Sequence, residues 1–227
     1  MISRLPGSAD PPPSAPARGK LYVVAAASGT GKTSLVRALM AARPQLQFSV
    51  SYTTRPRRPT EVDGRDYHFV DPATFDAMVA RGELLEWARV FDHCYGTGKP
   101  VVEQALARGE SLILEIDWQG AQQVRAALPE AVEVFILPPS LPVLEERLRG
   151  RGTDSEAVIA RRLAESVTEL SHWREFAFVI VNDVFAEALA ALLQLVDAAG
   201  GTAANALRGT RPGLAGFANA LLGRPAG

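Results

Sequence analysis

KLYVVAAASGTGKTSLVRALM, from Lys20 to Met40, carries three local signals in succession. Lys20 to Ala26 is a short apolar run with β-branched residues, the composition of a buried strand. Lys32 to Met40 then places apolar residues at helical spacing. Between them, Ala26-Ala27-Ser28-Gly29-Thr30-Gly31-Lys32-Thr33 matches G-x-x-x-x-G-K-[ST] at every position but the first, where Ala26 replaces glycine. A strand, a glycine turn and a helix in that order are the context a phosphate-binding loop needs. Gly29 and Gly31 let backbone N–H groups turn inward around phosphate oxygens, and Lys32 adds a full positive charge. Thr33 offers a hydroxyl to Mg²⁺, and Ser34 continues into a helix whose positive end faces the anion. Ala26 needs only a negative φ. The stretch predicts binding of a nucleoside triphosphate through Ala26, Ala27, Ser28, Gly29, Thr30, Gly31, Lys32, Thr33 and Ser34.

Outward from this loop the same alternation returns. Ser111–Ile116, Ala131–Leu137 and Phe176–Val181 read as strands. Gln119–Leu128, Leu141–Arg149 and Phe185–Ala198 read as helices. Strands that alternate with helices of this length pair in parallel through right-handed crossovers. The expected fold is α/β, a doubly wound parallel sheet of about five strands. Two segments break the rhythm. Residues 51–98 are polar, turn-rich and aromatic, with a strand-like piece at Tyr67–Val70, and a glycine-bearing charged loop at 150–155 enters an Arg-rich helix. Insertions at the strand ends of such sheets are where ligands bind.

The bulk numbers narrow the function. The chain has 227 residues, 47% of them hydrophobic, enough for one domain with a sizeable core. A net charge of −1 gives no overall attraction to nucleic acid or an anionic membrane, so neither is an expected partner. No apolar run is long enough to span a bilayer. Cys94 is the one cysteine, which excludes an internal disulfide and fits a cytoplasmic location. His68, His93 and His172 lack metal-ligand spacing. Residues 1–18 are rich in proline and read as a disordered leader; residues 200–227, rich in Ala and Gly, read as a flexible tail in which Leu214–Leu222 could form a short helix.

SYTTRPRRPTEVDGRDYHF, Ser51 to Phe69, clusters Arg55, Arg57 and Arg58 beside Ser, Thr and Tyr hydroxyls. Guanidinium groups fork a phosphate in bidentate fashion, so a second anion site is one reading and a solvated turn the other. The segment resembles guanylate kinases, the nucleoside monophosphate kinases that phosphorylate GMP. Their pattern S-x-T-T-R-x-x-R-x-x-E-x-x-G-x-x-Y-x-F is met at Ser51, Thr53, Thr54, Arg55, Arg58, Glu61, Gly64, Tyr67 and Phe69. Glu86-Trp87-Ala88, Tyr95-Gly96-Thr97, Ile116-Asp117-Trp118-Gln119-Gly120, Gly150-Arg151-Gly152 and Val181-Asn182-Asp183 follow in family order. The resemblance runs from about Lys20 to Ala198.

It implies a P-loop kinase with a core at 19–50 and 99–199, a small α+β GMP-binding segment at 51–98 and a helical lid at about 150–165. ATP and GMP would be the small-molecule partners and Mg²⁺ the cofactor; a homo-oligomer is left open. Ser51, Arg55, Arg58, Tyr67 and Tyr95 would hold the GMP phosphate. Glu86 would accept from guanine N1–H and the exocyclic amino group, and Thr97 would donate to O6. Adenine lacks those donors, so a carboxylate there selects guanine. Asp117 would face Mg²⁺ through water or hold a partner in the GMP site. Lys32 and the lid arginines Arg147, Arg151 and Arg162 would neutralise charge on the transferred group. Arg149 and Arg161 read as surface charges. Three positions depart from the family: Glu115 where Asp is usual, Cys94 where Tyr is common, and Val184 where a second Asp often follows. Two other readings stay open, a scaffold domain that binds phosphoproteins and a kinase for another phosphorylated acceptor such as a ribose bisphosphate. The GMP segment and the lid should close over the sheet when both nucleotides bind, excluding water.

Overall fold

A computed structural model describes residues 17–90, 92–150, 155–201, 208–209 and 213–223. The expected strand β1 (Leu21–Ala26) has every residue buried, and it sits at the centre of a five-stranded sheet. The sheet order is β2 (Gln47–Phe48), β7 (Leu112–Ile116), β1, β8 (Val132–Leu137), β9 (Phe178–Val181), and every pairing is parallel. A central parallel strand is covered on both faces, which is why β1 reads as a continuous apolar run.

The two faces divide the core by alternation along β1. Tyr22, Val24 and Ala26 pack with Leu35, Val36 and Leu39 of α1 (Lys32–Ala42) and Ala188, Leu192 and Leu195 of α7 (Phe185–Asp197). Leu21, Val23 and Ala25 face the opposite layer. That layer contains α3 (Lys99–Ala107), α4 (Trp118–Ala127) and α5 (Leu141–Arg149). Successive side chains on a strand point to opposite faces, so one apolar run feeds two cores. Each fully buried Leu or Ile contributes about 1.5–3 kcal/mol through this burial.

The inserted segment forms its own sheet, in the order β4 (His68–Phe69), β3 (Tyr52–Thr53), β6 (His93–Gly98), β5 (Leu84–Val90). Helix α2 (Pro72–Ala80) precedes β5, capped by Asp71, whose side chain accepts from the Thr74 N–H at 2.9 Å. Helix α6 (Glu156–Leu170) runs into a 3₁₀ turn at Ser171–Glu175.

The expectation of a flexible tail over 200–227 needs correction where the chain is described. Leu214–Leu221 forms helix α8, and Leu214, Ala218 and Leu221 are buried in the same cluster as Trp173 and Leu144. Spacings of four and three place the three side chains on one helical face. Arg208 bridges to Phe178 at the edge of β9, and the Asn219 side chain accepts from Arg174 at 3.0 Å. Ala- and Gly-rich composition suggested looseness, yet this apolar stripe has a place to dock.

Candidate active site

The sheet ends β1 and β7, the phosphate loop and the small sheet surround one cavity of about 470 Å³. The loop, Ala26 to Ser34, forms one wall; Ser51, Tyr67, Glu86, Tyr95 and Asp117 stand on the others. The phosphate loop and Ser51, Tyr67 and Tyr95 therefore face one cavity, whose lining does not include Arg55 or Arg58.

The loop has the geometry its glycines predicted. Gly29 and Gly31 have φ of 83° and 91°, the left-handed region that favours glycine. Ala26 stays within β1, so its side chain costs the loop nothing. Thr30 Oγ1 donates to the Ala27 carbonyl at 2.9 Å and tightens the turn. Gly31 begins α1 without a side-chain cap, leaving first-turn N–H groups to meet an anion. Behind the loop, Asn182 Nδ2 donates to the Thr30 carbonyl at 2.7 Å.

Lys32 Nζ donates to the Ile116 carbonyl, 2.8 Å away at the end of β7. Desolvation pulls its ammonium below the ordinary value, while Glu115, Asp117 and Glu169 act in the opposite sense. The Thr33 hydroxyl donates to the Glu115 carboxylate in a very short contact. Glu115 and Asp117 both line the cavity, Glu115 within β7 and Asp117 just past its end. Hydroxyl and carboxylate oxygens suit Mg²⁺, a hard cation that keeps several waters. Asp117 also caps α4, accepting from the Gly120 N–H at 2.7 Å.

Glu86 on β5 is 5% exposed, and burial pushes its carboxyl up to about 7 despite the opposing hydrogen bond from Thr97. Gly120 leaves it room: a Cβ there would stand 2.8 Å from Glu86 Oε2. Thr97 is fully buried and donates to Glu86 Oε1 at 2.6 Å rather than facing open space. The arginine loop is organised by Glu61, which accepts from the Arg55 guanidinium at 2.7 Å and from the Arg58 N–H at 2.8 Å. The Arg55 guanidinium lies 5.4 Å from the Tyr67 ring centre, and Tyr67 meets Tyr95 edge to face at 5.9 Å. Arg58 is exposed and does not line the cavity.

Among the lid residues, Arg147 on α5 donates to the carbonyls of Thr30 at 3.4 Å and Asn182 at 3.1 Å, against the back of the loop. Arg162 lies half-buried on α6. Arg151 falls outside the described residues. Arg149 pairs with Glu145 and Glu156, and Arg161 with Glu165, as exposed ion pairs. Trp118 stacks on His172 at 3.4 Å and acts in packing.

Glu169 was not foreseen. It lines the cavity from α6, and its carboxylate accepts from the Ser28 N–H at 3.2 Å. That partner lies 141 residues away in the chain, so no local pattern could mark it.

Comparison with known proteins agrees with this geometry. The sequence pattern of the family described as "Guanylate kinase" matches residues 18–199. A guanylate kinase from Methylococcus capsulatus is 58% identical over 180 residues, covering 79% of this chain and 88% of that protein. One from Chromohalobacter salexigens is 55% identical over 183 residues, covering 81% and 85%. The crystal structure of guanylate kinase from Anaplasma phagocytophilum superposes with a TM-score of 0.66 at 30% identity, covering 83% of this chain and 90% of that one. With its glycine loop, buried Glu86 and inserted small sheet around one cavity, the chain belongs to the guanylate kinase family.

Proposed function

We propose that the protein transfers the γ-phosphoryl group of ATP to the phosphate of GMP, giving ADP and GDP. The observation that carries the reading is the buried Glu86 carboxyl opening into the same cavity as the phosphate loop. A triphosphate site and a guanine-sorting acid in one chamber suit a two-nucleotide reaction. The residues assigned below follow from position and chemistry.

The donor's phosphates rest on the N–H groups of Gly29 to Ser34, with Lys32 moving from the Ile116 carbonyl to the phosphate oxygens. Ser51, Arg55, Arg58, Tyr67 and Tyr95 hold the GMP phosphate, and Glu86 accepts from guanine N1–H and the amino group. Thr97 keeps Glu86 in its rotamer and turns toward O6 when the base enters. Thr33, with Glu115 and Asp117 through water, would hold Mg²⁺, which when bound spreads charge from the bridging phosphate oxygens. Arg147, Arg151 and Arg162 draw negative charge from the group in flight. Phosphoryl transfer needs positioning and charge neutralisation, and this chain supplies cations on several sides. Closure of the small sheet and lid excludes water that would otherwise hydrolyse ATP. Nucleotide metabolism in the cytoplasm fits a chain whose one cysteine has no partner in sequence.

A coupled assay for ADP release, run side by side with GMP, AMP, UMP and a ribose phosphate, tests the reading. Turnover should be largest with GMP. No turnover with GMP would overturn it; equal turnover with the ribose phosphate would reassign the acceptor.

A further inference from the structure

Helix α6 grips a single residue of the phosphate loop by both of its backbone polar groups. Ser166 Oγ donates to the Ser28 carbonyl at 3.4 Å, and Glu169 accepts from the Ser28 N–H at 3.2 Å. Ser166 is 1% exposed. Gly29, the next residue, is pressed from the other side by α5: a Cβ on it would stand 2.9 Å from Leu144 Cδ1 and 3.0 Å from Leu148 Cδ2. The loop is thus wedged between two helices and cannot shift to follow α6.

Positions 162, 166 and 169 are spaced by four and three, so Arg162, Ser166 and Glu169 lie on one face of α6. A helix is rigid over two turns. Whatever sets the rotation of the last turn about its axis also sets where Arg162 points. The two contacts to Ser28 do that, and they do it against the loop that holds the donor phosphates.

We propose that Glu169 is a positioning residue for phosphoryl transfer: by holding Ser28 it fixes the rotation of α6 and so aims Arg162 at the phosphates. The residue acts through reach and hydrogen bonding; its charge is secondary. Glutamine at 169 presents an acceptor oxygen at the same distance. Aspartate keeps the charge but falls a methylene short. This rests on the proposed function, because Arg162 acts on the phosphates only if a triphosphate fills the cavity.

The test is a kinetic cycle on the full-length protein. Glu169→Gln should keep kcat within about threefold of wild type, whereas Glu169→Asp should lower it about tenfold or more with the KM for GMP unchanged. In an Arg162→Ala background, Glu169→Asp should cost less than about twofold, since the residue it aims is gone. Loss of kcat with Gln as large as with Asp would overturn the proposal, because reach and a neutral acceptor would then not suffice. A harmless Asp, or the same factor in both backgrounds, would overturn it outright. Wild-type protein that fails to phosphorylate GMP would instead sink the functional reading, and the two failures are separate.

Discussion

Thr97 donates its hydroxyl to Glu86 Oε1 across 2.6 Å, and the two are register partners in the antiparallel ladder of β5 and β6. The ladder brings the acid and the hydroxyl together before any base arrives. The pocket proposed for guanine is therefore partly preorganised by sheet register, and its proton balance is set there too.

Burial raises the Glu86 carboxyl to about 7. Guanine offers two donors, so the carboxylate is the binding form. The KM for GMP should rise as pH falls below about 7, approaching tenfold per pH unit, while the KM for ATP moves little. Stability of the nucleotide-free protein should shift the other way. The folded value lies above the ordinary 4.5, so this group's stabilising contribution is complete below that value and is lost as pH rises through about 7. Initial rates from pH 5.5 to 8.5, as an order-of-magnitude window around that value, check the first part, and urea midpoints the second. A flat KM for GMP would contradict it.

Lys32 and Glu86 should fail differently. Lys32→Ala removes charge from the phosphates in flight and should lower kcat about a hundredfold or more, with GMP affinity kept within about threefold. Glu86→Ala should raise the KM for GMP and narrow the preference over AMP. Steady-state kinetics beside equilibrium binding of GMP separates the two, and equal effects in both variants would undo the division.

Glu115 accepts from the Thr33 hydroxyl, which places it beside the proposed Mg²⁺ ligand. Glu115→Ala should raise the Mg²⁺ concentration for half-maximal rate about tenfold, as loss of a supporting oxygen does. Glu115→Asp should recover most of that loss. A Mg²⁺ titration of initial rate at fixed ATP reads both.

Gly31 has a φ of 91°, and a Cβ on it would stand 2.5 Å from Asn182 Nδ2. Gly31→Ala should displace Asn182 from the Thr30 carbonyl and cost about 1–3 kcal/mol of stability. The KM for ATP should rise, with that for GMP constant within about twofold. Thermal unfolding and both Michaelis constants check this; an unchanged KM for ATP would count against the wedge of loop and Asn182.

Local pattern carried the sheet, the loop and the order of most elements. Periods of two and of about 3.6 are written in neighbouring residues, and the glycines of 26–34 mark their own backbone. Strand β2 was missed because two residues, Gln47 and Phe48, show no period at all. Residue types identified the anion site, but the Glu61 clasp on Arg55 and the Thr97 bond to Glu86 depend on folding. Glu169 was hidden for the same reason; a short helix at Leu214–Leu222 was legible, but its docking was not. Its stripe of Leu214, Ala218 and Leu221 was present in the sequence; the surface that receives it comes from residues far upstream.

That helix changes what counts as the end of the protein. The family pattern stops at residue 199, yet Leu214, Ala218 and Leu221 are folded into the core layer beneath Trp173. Trimming the gene at the family boundary would uncover a greasy patch on an otherwise finished enzyme. The shortened protein would remain chemically equipped but prone to clump, so its shelf life would suffer before its catalysis did.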